Sequence, residues 1–300
     1  MSLRNMLMAD RTETGSTNLG TYMQQTLQLT RHYVTSYYQS RNQQDLFQEV
    51  KSFCLFIGHA RSGHSIIGAL LDAHPQIILP DEVDILRYIA AGFGKKQIYH
   101  ILLTRSQRQA ANGRTKQGRE QQRYSYFVPD QWQGQYEQLR VIGSSKAGRT
   151  TQRLAQDPTL LNKLQGAVGQ ANVKLINVIR NPYDNISTLM LRGGRSFENA
   201  INNYFLNCHT LADLEKQADD ANWLLVRQEE FITHPQLELT QICHFLGVTP
   251  ADDYLEACAN ILYSSPAKSR YKVPWTTPLI EEVAQQIAQF DFLDGYSYEA

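Results

Sequence analysis

Short apolar runs alternating with longer amphipathic stretches organise this chain from Phe53 onward. Segments at Phe53 to Ile57, Ile77 to Leu79, Arg140 to Ile142, Lys174 to Ile179 and Trp223 to Val226 predict short strands, most followed by a helical pattern. The alternation predicts an α/β fold, a three-layer open parallel sheet flanked by helices. In such sheets ligands bind beyond the carboxyl ends of the strands. Ahead of the core, residues 1–50 read as a polar N-terminal tail to about Gly20 and a polar helical extension over Thr21 to Val50. Residues 51–300 form the main domain. Past Pro235 the pattern predicts helices broken at Gly247, Pro250 and Ser264 to Pro266.

The first strand runs through a glycine-bounded turn into a helix, Gly58-His59-Ala60-Arg61-Ser62-Gly63-His64-Ser65. Two glycines let backbone N–H groups close around an anion, and the positive end of the following helix adds to the attraction. An ATP-hydrolysing loop reads GxxxxGK[ST], with lysine beside the last hydroxyl. Here His64 occupies the lysine position, and the fixed cation moves back three residues to Arg61. A largely neutral histidine replaces that lysine poorly. The loop therefore suits a nucleotide phosphate without the usual ATP–magnesium chemistry. A P-loop kinase stays open as an alternative, weakened by the missing lysine and by the lack of an obvious magnesium aspartate.

Composition narrows the remaining classes. The 300 residues, 42% of them hydrophobic, support a large core. Lysine and arginine balance aspartate and glutamate at 29 each, which gives no overall reason to expect nucleic acid or a membrane surface as partner. No apolar run approaches the roughly 20 residues of a membrane span, and the N-terminus has no signal-like apolar region. Cys54, Cys208, Cys243 and Cys258 are scattered, one in a core strand and three on expected helices, consistent with a reducing cytoplasm. Cys208-His209 and Cys243-His244 lack the spacing of a preformed metal site, so no metal is expected.

From these residues the chain resembles the sulfotransferases that use 3′-phosphoadenosine 5′-phosphosulfate (PAPS). Arg61-Ser62-Gly63-His64-Ser65 is similar to their 5′-phosphosulfate loop, [KR]-[ST]-G-[TS]-[TS], with His64 where threonine is usual. The stretch Leu70 to Pro75, followed by Pro80-Asp81-Glu82, resembles the protein-tyrosine and carbohydrate branches. Leu175 to Asp184 looks like the 3′-phosphate motif, with Arg180 ending a strand and Thr188 eight positions later beside Ser187. The resemblance covers roughly Phe53 to Tyr298. It implies a P-loop-NTPase-like sulfotransferase fold, PAPS as co-substrate and PAP as product. The acceptor would be a hydroxyl on a carbohydrate, small molecule, lipid or tyrosine. A non-catalytic PAP-binding protein on the same fold is the alternative.

The same resemblance implies the site. Glu82 would be the base, with Asp81 as fallback, since adjacent carboxylates can raise one pKa. Asp81-Glu82 could equally open the helix that follows. Lys146, after the strand ending near Ile142, would assist the leaving group, although Ser144-Ser145 stand where the family usually has aspartate or asparagine. Arg61, Ser62, Gly63, His64 and Ser65 would hold the 5′-phosphate, where charge accumulates. His64 either donates to a sulfuryl oxygen or packs at the helix start. Arg180, Ser187 and Thr188 would select the 3′-phosphate, and Ser269 and Arg270, in the basic run Lys268 to Lys272, resemble a late cofactor loop. His74 before Pro75 is expected to end its helix. The basic segment Arg105 to Arg123 lies where the family builds its acceptor side; it reads either as a welcome for an anionic acceptor or as a solvated surface.

Overall fold

The computed structural model describes residues 19–41, 45–117 and 123–299. Five parallel strands form the main sheet: β1 (Ser52–Gly58), β2 (Ile77–Ile78), β5 (Val141–Ser144), β6 (Asn172–Ile179) and β7 (Trp223–Arg227). Their order is β2-β5-β1-β6-β7, with Ser52 paired to Val141 on one side and to Asn172 on the other. A separate antiparallel pair joins β3 (Thr115–Gln117) to β4 (Arg123–Ser125).

The apolar run at β1 puts it at the sheet centre, where both faces are covered. Phe53, Leu55 and Ile57 enter one core with Tyr183 and Leu211, while Cys54 and Phe56 enter a second with Leu70 and Leu239. Those partners lie on helices of opposite faces: α7 (Pro182–Gly193) and α8 (Phe197–Gln217) on one side, α2 (His64–Leu71) and α10 (Pro235–Leu246) on the other. Period-two alternation thus builds the three expected layers. Between β1 and β5 the backbones meet at Gly143, where a Cβ would lie 1.9 Å from the Cys54 carbonyl oxygen. Any side chain there would push β5 away.

Helix α1 (Leu19–Gln39) stops well short of the expected Val50, and a 3-10 turn follows at Asp45–Phe47. Ser36 and Ser40 hydroxyls bond back to the carbonyls of Tyr33 and Tyr37, tightening the last turns. Its inner face reaches the core through Leu29, and Gln97 Nε2 donates to Tyr33 O and Ser36 Oγ at 3.0 and 3.3 Å. Gln97 belongs to α4 (Lys95–Ala111), which follows α3 (Ile85–Ala90). Helix α2 also ends early, at Leu71, so Pro75 is not what terminates it. The buried Asp72 carboxylate instead gathers Ser106 Oγ, the N–H groups of Leu79 and Gly134, and the Arg114 guanidinium.

Toward the C-terminus α10 closes on Gly247 at φ +86°, as its position predicts, and α11 (Asp252–Asn260) starts after Pro250. Past the Ser264 to Pro266 break come a 3-10 turn at Ser269–Lys272 and α12 (Thr277–Ile287). All four cysteines are buried free thiols. Among the described residues no helix is long and apolar enough to cross a membrane, and no cluster of metal-ligating side chains occurs.

Candidate active site

The phosphate loop leaves β1 at Gly58 and enters α2 at His64. Gly58 and Gly63 take φ of +113° and +99°, which a side chain would strain. Gly58 is pinned by Thr151 of α5 (Ala147–Gln156): its N–H donates to Thr151 Oγ1 at 2.8 Å, and that hydroxyl bonds the Gly58 carbonyl at 3.0 Å. Arg61, at the crest, is exposed in the left-handed region at φ +70°. Ser62 is buried, its hydroxyl donating to the His59 carbonyl at 3.0 Å. The N–H groups of His64 and Ser65 open α2, where a helix has no carbonyl one turn earlier to receive them. These features fit a phosphate.

His64 is buried, with Nδ1 3.4 Å from Ser62 Oγ. Burial lowers its pKa, opposed by the nearby charges of Asp81 and Glu82. The imidazole is therefore neutral at pH 7 and supplies no fixed charge to the loop.

Opposite the loop, Pro80-Asp81-Glu82-Val83 forms a clamped corner. Ser65 Oγ and Ser145 Oγ donate to Asp81 Oδ1 at 3.1 and 3.3 Å. Gln109 bonds the Asp81 N–H and carbonyl at 2.9 and 2.7 Å, and Ser144 Oγ donates to the Val83 carbonyl at 2.6 Å. Between these clamps Glu82 is held at φ +62°, a conformation costing a non-glycine residue about 1–2 kcal/mol. Its carboxylate meets Lys146 at the end of β5, with Nζ 2.6 Å from Oε2. The two residues assigned to proton handling are thus partners. Asp84 is the N-cap of α3 and pairs with Arg153, so Asp81 and Glu82 do not open that helix.

At the end of β6 the buried Arg180 donates to Thr188 Oγ1 at 3.2 Å and Ser269 Oγ at 3.3 Å, and also bonds the Ala267 carbonyl. Thr188 and Ser269 hydroxyls lie 3.1 Å apart. Burial lowers the Arg180 pKa from a value so high that the guanidinium remains charged. Its Nε has no hydrogen-bond partner among the described residues. A charged, buried group with spare donor capacity between two hydroxyls fits an anion such as a phosphate monoester.

Ser187 and Arg270 do not join this group. Ser187 Oγ donates to the Tyr183 carbonyl and accepts from Trp275 Nε1 at 2.9 Å. Arg270 is paired with buried Asp184 at 3.1 Å and donates to the carbonyls of Ser297 and Tyr298. Asp184 also accepts from the Arg270 N–H at 2.8 Å, anchoring the turn that presents Ser269. Sequence reading missed Asp184 and Gln109, whose signal lies only in tertiary contacts. In the basic segment Arg114 is neither a solvated nor an acceptor-side cation, since it is buried against Asp72. Arg119 and Glu120 lie outside the described residues.

A parallel sheet flanked by helices in this arrangement has its counterpart among known proteins. The chain belongs to the sulfotransferase family, whose model matches residues 55–253. It is similar in structure to the sulfotransferase domain from the Synechococcus PCC 7002 olefin synthase. That match has a TM-score of 0.51 and 17% identity, covering 79% of this chain and 94% of that one. It is also similar to sulfotransferase STF1 from Mycobacterium tuberculosis H37Rv, with a TM-score of 0.50, 12% identity, and coverage of 96% and 91%. No curated protein matches the chain.

Proposed function

We propose that this chain moves the sulfuryl group of PAPS to an acceptor hydroxyl by in-line displacement, as an enzyme with PAP as product. The observation that carries this reading is the Glu82–Lys146 pair, 2.6 Å apart, on a corner tied to the phosphate loop through Ser65 and Asp81. Arg61 and the N–H groups opening α2 would hold the 5′-phosphate. Arg180, Thr188 and Ser269 would hold the 3′-phosphate. Bound there, PAPS supplies an activated sulfur whose bond to the phosphate oxygen breaks as the bond to the acceptor oxygen forms.

Glu82 takes the acceptor proton. Its side chain keeps 46% exposure, whereas Asp81 is 2% exposed and already accepts two hydroxyl hydrogen bonds. Access therefore favours Glu82 as base, with Asp81 as the strut that places it. Lys146 brings positive charge, and a proton, to the departing oxygen. Arg61 stays charged throughout and neutralises the phosphate as the bond breaks. His64, neutral and buried, can only donate or accept a hydrogen bond beside the reacting group.

The test is incubation with PAPS and a panel of hydroxyl acceptors, read by mass spectrometry for a sulfuryl-sized gain. Transfer by the native protein and its loss in Glu82→Gln support the reading. Undiminished transfer by that variant removes Glu82 as the base.

A further inference from the structure

Charge is unevenly placed on this neutral chain. Helices α1, α3 and α4 carry Arg31, Arg87, Lys95, Lys96, Arg105 and Arg108, with no aspartate or glutamate among them. Four of the arginines gather around one contact between α1 and α3. There the His32 ring stacks on Tyr88, with Nδ1 3.2 Å from the phenol oxygen. Arg87, Arg31 and Arg108 act on His32, and Arg87 and Arg105 act on Tyr88. Burial and those arginines lower the His32 pKa, so the imidazole adds no charge of its own at neutral pH. The carboxylate felt at Tyr88 is Asp84, and Arg153 Nε already holds both its oxygens at 2.8 Å.

This positive surface adjoins the Glu82 corner. Gln109, which bonds Asp81 on both sides of its peptide, is on α4. Arg105 stands one turn earlier on the same face, about 6 Å along the axis. Arg87 lies in the helix that starts three residues after Glu82. Arg31, Arg105 and Arg108 are exposed. Guanidinium groups bind carboxylate, phosphate and sulfate in a bidentate manner, and a local excess of one sign raises the concentration of the opposite one.

We propose that the exposed Arg31, Arg105 and Arg108 form an anion-binding subsite for the acceptor. The substrate is then a hydroxyl compound that also bears a carboxylate, phosphate or sulfate. The inference rests on the sulfuryl-transfer reading of Glu82 and names the substrate class for that site.

The experiment uses cell extract separated on an anion exchanger into retained and unretained small molecules, each incubated with PAPS and the protein. Sulfuryl gain confined to retained compounds is expected, and Arg105→Glu/Arg108→Glu should lower conversion about tenfold or more. PAP affinity, measured by calorimetry in the same variant, reports folding and the donor site. Equal or greater modification of unretained, neutral compounds overturns the inference. So does unchanged conversion by the variant. Loss of PAP binding in the native protein would instead mark failure of the underlying donor reading.

Discussion

Lys146 Nζ lies 2.6 Å from Glu82 Oε2, joining two residues 64 positions apart across the carboxyl edge of the sheet. Both side chains are part-exposed, so the pair adds at most about 1 kcal/mol to stability. Its consequence is chemical. Glu82→Gln should lower transfer about 100-fold or more, the usual range for losing a general base, while the melting temperature and PAP affinity hold. Steady-state rates set beside calorimetry check this.

Arg180 and Thr188 are the second relationship, on which the proposed nucleotide selectivity depends. Thr188→Val removes a hydroxyl held 3.2 Å from the guanidinium. It should weaken PAP binding about tenfold, the effect of roughly one hydrogen bond to a charged group, and leave ADP binding unchanged. Titration of both nucleotides against the variant measures the difference. Ser187→Ala should leave the ratio of the two affinities unaltered, because its hydroxyl serves Trp275.

These two relationships mark what the sequence could reveal. Strand β1 and the glycine-bounded loop were legible because each depends on local sequence, an unbroken apolar run and the positive φ that glycine permits, whereas the eight-residue step from Arg180 to Thr188 was placed by resemblance. Glu82 and Lys146 were placed individually, by resemblance. Their contact was not visible, since it depends on β2 and β5 being neighbours. Arg114 looked like part of a solvated basic run because its partner, Asp72, sits 42 positions away. Arg270 was placed by resemblance to a late cofactor loop, and its pairing with Asp184, 86 positions away, is visible only once the chain has folded. The early ends of α1 and α2 depend on serine back-bonding and on the buried Asp72 carboxylate, neither of which apolar periodicity records.

Asp72 predicts a large effect on stability. Its carboxylate satisfies Ser106, two backbone N–H groups and the buried Arg114. Asp72→Ala would leave that arginine charged and unpaired in the interior, a loss of about 3–5 kcal/mol. Chemical denaturation checks the value. The double variant Asp72→Ala/Arg114→Leu should recover part of it.

His59 sets an acid limit. Its ring stacks on Tyr204 with centroids 3.9 Å apart, and burial holds its pKa down to about 3 against an ordinary 6.5. The unfolded chain therefore binds a proton that the native state refuses. This contribution is complete above pH 6.5 and is lost as pH falls toward 3, at up to about 1.4 kcal/mol per pH unit. His64 and His74, also lowered by burial, steepen the same limb. Unfolding free energies at pH 7, 6, 5 and 4 should decline progressively, and His59→Phe should flatten the decline by about one proton.

The most direct measurement is a pair of calorimetric titrations of the native protein, one with PAP and one with ADP. PAP carries the 3′-phosphate that Arg180, Thr188 and Ser269 are proposed to bind, whereas ADP lacks it and carries instead a second phosphate on its 5′ side. The account predicts that PAP binds at least about tenfold more tightly, and that Arg180→Ala abolishes the preference. Equal affinities, or a preference for ADP, would contradict it.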